Sequence, residues 1–209
     1  MNIKLAVFDF DSTLMDGETL ELLAQDASLR AKLKSITDRA MAGELDFFES
    51  LVQRVAFLKD ISLKHVNDVF ANLPYMPGAK ELILELKKRG VKVVCFSGGF
   101  DGALEVAQAD LGFDTYFANF LHEKDGVLTG LVGGDMMSSN SKGIMLQKLQ
   151  KMLSVTKEQT MVVGDGANDL SMFKHAGTRV AFCAKEVLKK EANVVIDEKN
   201  LLEILDKIS

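Results

Sequence analysis

Residues 3 to 8 (IKLAVF) form an apolar run that stops at acidic residues, the pattern of a strand covered on both faces. The runs VKVVCF (91–96), TMVVGD (160–165), RVAFCA (179–184) and NVVID (193–197) are of the same kind. Between them Ala79, Leu82, Ile83 and Leu86 recur at spacings of three and four, as do Leu201, Leu202, Leu205 and Ile208, which predicts helices. Alternating strands and helices predict an α/β fold, a doubly wound, mostly parallel, Rossmann-like sheet whose ligands bind beyond the carboxyl ends of the strands.

One stretch departs from this rhythm. From Gly17 to Pro77 only helical periodicity is present, punctuated near Ser28, Gly43, Ser62 and Pro74. It predicts a small helical cap (17–77) inserted after the first strand of a core formed by 1–16 and 78–209. The Asp125-Gly126 pair between apolar stretches in FANFLHEKDGVLTGLVGG predicts a β-hairpin.

Composition narrows the function. A chain of 209 residues suits one domain with an elaboration. With 47% hydrophobic and 26% charged residues it is neither collagen-like nor disordered, and 2 Cys exclude a disulfide scaffold. Both Cys95 and Cys183 sit in apolar runs and are read as buried thiols. Net charge is -5 without a basic run, so no nucleic-acid footprint is expected. No run approaches the roughly 18 apolar residues of a membrane helix, and acidic residues begin at Asp9, unlike a secretory leader. The expectation is a cytoplasmic protein with a small-molecule partner. His65, His122 and His175 are scattered and take no role.

Three strand-to-loop junctions carry the chemistry. In DFDST (9–13) the period of two puts Asp9 and Asp11 on one side, although an isolated D-x-D is also a common solvated turn. SGGF (97–100) reads as a glycine turn between strand and helix, where backbone N–H groups and the Ser97 hydroxyl can meet an anion. VVGDGANDLSMF (162–173) adds Asp165 at a strand end and Asp169, which is also placed as a helix cap would be. Parallel strands bring Asp9, Asp11, Asp165 and Asp169 to one edge, where each close carboxylate pair costs about 4 kcal/mol. A divalent cation removes that cost, and an all-oxygen donor set without His suits Mg²⁺. Lys142, in SNSKG, supplies a positive charge or is an ordinary surface lysine. In the cap, Phe47, Leu51, Arg54 and Leu58 share a helix face, which places Arg54 among apolar residues. Its head either snorkels to water or waits for a carboxylate, and Glu18 either caps a helix or meets an ammonium.

In this order and at these separations, DFDST, SGGF, SKG and GDGANDLSMF resemble the haloacid dehalogenase (HAD) superfamily of aspartate-dependent phosphatases. The resemblance runs from residue 3 to the end, cap included, and implies a HAD-type fold. It implies that Asp9 is the nucleophile and Asp11 the general acid and base. Asp9, the main-chain carbonyl of Asp11, and Asp165 would hold Mg²⁺, with Asp169 supporting them. Ser97, Gly98 and Lys142 would hold the phosphoryl oxygens. Glu18 and Arg54 would hold the amino and carboxylate groups of O-phosphoserine, Met41 and Phe47 would shield it, and Asn168 would touch it near the phosphate. The implied activity is hydrolysis of O-phosphoserine to L-serine and phosphate through an aspartyl-phosphate, the last step of serine biosynthesis. The rival readings are a related phosphatase or phosphotransferase on another small phosphomonoester, and a catalytically silent binding module.

Overall fold

The computed structural model describes residues 2–208. The chain runs β1 (Leu5–Asp9), α1 (Thr19–Leu23), α2 (Ala27–Met41), α3 (Phe47–Ala56), α4 (Leu63–Phe70), α5 (Ala79–Lys88), β2 (Lys92–Phe100), α6 (Asp101–Leu111), β3 (Thr115–Lys124) and β4 (Val127–Gly134). It continues through α7 (Ser141–Leu153), β5 (Thr160–Gly164), α8 (Leu170–Phe173), β6 (Thr178–Phe182), α9 (Glu186–Lys189), β7 (Val194–Ile196) and α10 (Glu203–Lys207). One sheet has the order β4-β3-β2-β1-β5-β6-β7. Every pairing is parallel except β3 with β4.

Sheet burial follows from the apolar runs. All five residues of β1 are buried, with Ala6 and Phe8 in one core cluster and Leu5 and Val7 in the other, on the opposite face. The cluster holding Phe8 also takes Leu20, Leu51, Val55 and Val66, so the inserted helices continue one side of the core. Strand order reverses at β1, which lies between β2 and β5, and the crevice beyond its carboxyl end is the expected ligand position.

The insertion's helices begin at defined caps. The carboxylates of Asp26 and Asp46 and the hydroxyl of Ser62 accept N–H groups from Leu29, Glu49 and His65 at the starts of α2, α3 and α4. Ser28 therefore lies inside α2, two residues beyond the true boundary at Asp26, whose longer-reaching carboxylate takes the cap. The two segments entering and leaving the insertion are zipped together: the Asp16 amide donates to the Pro74 carbonyl (2.7 Å) and the Met76 amide to the Leu14 carbonyl (2.9 Å). At the other end, the Asp60 and Leu63 amides donate to the carbonyls of Leu128 and Gly126, and the Leu128 amide donates to Ile61. The hairpin is thus tied to the corner between α3 and α4. Its turn has φ 52° at Asp125 and 80° at Gly126, the left-handed pair of a type I′ turn that an Asp-Gly sequence favours.

Two readings of the sequence are corrected. SGGF is not a free turn, because β2 continues through it to Phe100, with an irregular register against β3 between Phe96 and Phe100. Cys183 is only half-buried, since β6 ends at Phe182 and the chain turns at Cys183 with φ 45°, lifting the thiol out of the sheet; Cys95 is buried.

Candidate active site

Three chain segments deliver the acidic groups: Asp9 and Asp11 at the end of β1, Glu18 before α1, and Asp165 and Asp169 after β5. Asp9 ends β1 and is 3% exposed, and Asp165 follows β5 and is 7% exposed. Oxygens of Asp9, Asp165 and Asp169 lie within 4.8 Å of one another. The Asp11 carboxylate stands apart from that trio, with Oδ1 accepting both the amide and the hydroxyl of Thr19. The alternation that put Asp9 and Asp11 on one side therefore brings them to one cavity but not to one cluster.

Lys142 answers the charge. Its ammonium lies 2.6 Å from Asp9 Oδ1 and 2.7 Å from Asp169 Oδ1, buried at the start of α7. Burial opposes its charge, yet the Asp169 and Asp9 carboxylates prevail and hold its pKa above the ordinary lysine value. It is a buried bridge between carboxylates, not a surface lysine. Asp169 is committed on both oxygens, since Oδ2 accepts the amides of Asp165 (3.0 Å) and Gly166 (3.1 Å). Among the described residues the Asp165 carboxylate has no hydrogen-bond partner. Desolvation, then the charges of Asp9 and Asp169, push Asp165 well above the usual carboxylate range. Desolvation and Asp9 raise Asp169 to about 7. Three hard oxygen donors that repel one another, one of them without a protein partner, fit a divalent cation.

The β2 segment is held by a residue outside every motif. Buried Asn119 donates to the carbonyls of Gly98 (3.0 Å) and Met136 (3.2 Å), and its Oδ1 accepts the Met136 amide. The Ser97 hydroxyl oxygen accepts the Gly99 amide at 2.9 Å. Side chains are excluded at both glycines, because a Cβ on Gly98 would lie 2.8 Å from the Phe47 ring and one on Gly99 3.0 Å from Asp11 Oδ2. The Gly99 amide is thus taken by Ser97, and Phe47 and Asp11 pack directly against the glycine backbone.

The inserted helices close the crevice. A cavity of about 20 Å³ is lined by Asp9, Asp11, Glu18, Leu20, Met41, Phe47, Arg54, Gly98, Gly99, Asp165 and Asn168. That is room for one water. Ser97 and Lys142 lie behind this lining, both buried. The Glu18 carboxylate accepts the Ser12 hydroxyl at 2.6 Å, and desolvation followed by the Asp11 charge raises its pKa to about 8. Glu18 makes no side-chain cap bond at α1, so the capping alternative falls away. Arg54 is 3% exposed and does not snorkel; its Nε donates to the Ser50 carbonyl (3.1 Å) and its Nη1 to the Thr37 hydroxyl (2.9 Å). Asn168 donates to Asp9 Oδ2 at 3.3 Å, while its own buried Oδ1 has no partner. Burial, Asp9 and the opposing Thr19 bonds leave Asp11 raised to about 6, desolvation being the largest cause.

A HAD-like hydrolase family model matches residues 3–177. The chain belongs to the haloacid dehalogenase-like hydrolases. Among HAD relatives, phosphoserine phosphatase of Wolinella succinogenes is 56% identical over 97% of this chain and 98% of its own. That of Methanocaldococcus jannaschii is 46% identical over 98% and 97%. A solved phospho-aspartyl intermediate analogue of phosphoserine phosphatase superposes with a TM-score of 0.95 at 45% identity, and a substrate-bound phosphoserine phosphatase complex with 0.96 at 45%; each covers 100% of both chains. The α/β HAD fold expected from the motifs is the one observed.

Thr19, Leu20 and Asn119 were not singled out from sequence, whereas Gly99 entered as part of SGGF. Of the three, Thr19 alone had a legible signal, since it directly follows Glu18 at the start of a helical pattern.

Proposed function

We propose that this HAD hydrolase is a Mg²⁺-dependent phosphatase that converts O-phosphoserine to L-serine and phosphate through an aspartyl-phosphate. The single observation that carries the reading is one narrow cavity that gathers Asp9, with Lys142 and Asn168 on its carboxylate, and Glu18 and Arg54. The first set suits a phosphoryl group, and the second a zwitterion. Residues 17–77 serve as the cap of a core made of 1–16 and 78–209, and because the cavity holds one water, the cap swings aside to admit substrate.

Asp9 attacks phosphorus, and the bond from phosphorus to the serine oxygen breaks. Asp11, beside Gly99 and fixed by Thr19, gives its proton to that oxygen. The same carboxylate then takes a proton from the water that attacks phosphorus, and the bond to Asp9 breaks, releasing phosphate. Asp9, the Asp11 carbonyl and Asp165 would hold Mg²⁺, which when bound neutralises charge on the phosphoryl oxygens. Lys142 pairs with Asp9 and orients it, and Asp169 holds Lys142 from behind. Ser97, Gly98 and Lys142 would hold the phosphoryl oxygens. The decisive experiment is phosphate release from O-phosphoserine with Mg²⁺ and with EDTA. Release only with Mg²⁺, and faster than from phosphorylated sugars, is expected; a preference for sugar phosphates would point to the related-phosphatase reading.

Stability without metal should depend on pH with a defined sign. The unfolded carboxyls titrate near 3.9, whereas Asp169 titrates at about 7 and Asp165 is also raised well above the usual carboxylate range. Between about pH 4 and 7 the folded chain therefore holds protons that the unfolded chain has released. These groups favour folding at low pH and lose that contribution as pH rises through about 7. Bound at this cluster, Mg²⁺ would take the place of those protons. The rise in Tm caused by Mg²⁺ is expected to be larger at about pH 8 than at pH 5 by differential scanning fluorimetry, and equal shifts would contradict the cluster as its site.

A further inference from the structure

Arg54 is a buried cation held only by neutral atoms. It forms no ion pair among the described residues, and its two bonds go to the Ser50 carbonyl within α3 and to the Thr37 hydroxyl on α2. A guanidinium has five N–H donors, so these bonds leave both donors of Nη2 and one of Nη1 unused beside the cavity. A carboxylate in place of Thr37 would orient the guanidinium equally well but would cancel its charge. A hydroxyl orients without neutralising. Thr37 is itself 2% exposed, and its β-branched side chain has few rotamers, so the oxygen is fixed with respect to α3. Burial opposes the Arg54 charge and lowers its pKa, while Glu18 and Asp11, which line the same cavity, favour it through space.

We propose that Thr37 is a positioning residue for substrate selectivity: through a neutral hydrogen bond it holds the Arg54 guanidinium so that its free edge meets the substrate carboxylate. This rests on the reading of Arg54 as the carboxylate receptor. A second consequence concerns the cap, because the bond from Arg54 to Thr37 is a polar link between α2 and α3 that aligns the receptor with the closed position of both helices.

The test compares kcat/KM for O-phosphoserine and for O-phosphoethanolamine, which has the phosphate and the ammonium but no carboxylate. Thr37→Val is expected to lower the ratio of the two about tenfold, through KM for O-phosphoserine, because a hydrogen bond to a charged group is being lost. Thr37→Ser restores the hydroxyl and is expected to return the ratio to within about twofold of the unaltered protein. Thr37→Asp, which pairs with Arg54, is expected to lower it further than Val does. An unchanged ratio in Thr37→Val, or equal losses on both substrates, would overturn the proposal. Arg54→Ala separates the two levels. If it leaves the ratio unchanged, the carboxylate reading fails and this proposal with it. If it collapses the ratio while Thr37→Val does not, only the positioning role fails.

Discussion

Asp9→Asn is expected to reduce phosphate release from O-phosphoserine by on the order of 10⁴-fold or more, because an amide oxygen has no charge with which to attack phosphorus. The acid-stable phosphoenzyme expected on rapid quenching of the unaltered protein should be absent. Loss of folding does not explain such a result. In the variant Lys142 keeps Asp169 at 2.7 Å, and the crowded trio loses one of its charges. Asp9 is the leading charge that raises both Asp165 and Asp169 after desolvation, so its removal relieves repulsion in the metal-free protein. The Tm without metal should therefore be unchanged or higher, while the stabilisation by Mg²⁺ shrinks. Normal turnover, or a trapped phosphoenzyme in the variant, would remove Asp9 from its assigned role.

Arg54→Ala is expected to lower kcat/KM for O-phosphoserine by about 10²- to 10³-fold, since charge-assisted hydrogen bonds to a buried carboxylate are lost together. The same change on O-phosphoethanolamine should stay within about threefold. Most of the loss should fall on KM, because the carboxylate is bound equally in the ground state and the transition state. The basis is geometric: Arg54 and Glu18 share a cavity with Asp9 and Asp11, yet among the described residues Arg54 carries no counter-ion. A comparable loss on both substrates would mean that Arg54 shapes the cap and does not read the substrate.

How much of this was legible depends on whether a feature is local. The strands could be read because β1 and β5 are buried along their whole length and so carry unbroken apolar runs. The hairpin could be read because an Asp-Gly pair tolerates the left-handed backbone that its turn requires. The acidic residues at strand ends were visible, and sheet topology explains why distant ones meet. The partners were not visible. Lys142 finds Asp9 and Asp169, Thr37 finds Arg54, and Asn119 holds Gly98, all across tertiary contacts that leave no periodic trace. SGGF misled for a related reason: glycines usually interrupt a strand, whereas here they let the backbone approach Phe47 and Asp11 while β2 continues.

The hairpin that grips the corner between α3 and α4 restricts how the entrance can widen. Three backbone bonds pin that corner to β4 and its turn, while among the described residues α2 has no backbone bond to the sheet edge and is tied beyond β6 through the ion pair between Lys185 and Asp38. The proposed opening is therefore expected to pivot about the pinned corner, with the Met41 side travelling farthest. A longer hairpin would move the fulcrum, and the arc available to an incoming phosphomonoester would change with it, although every residue around the nucleophile stayed the same.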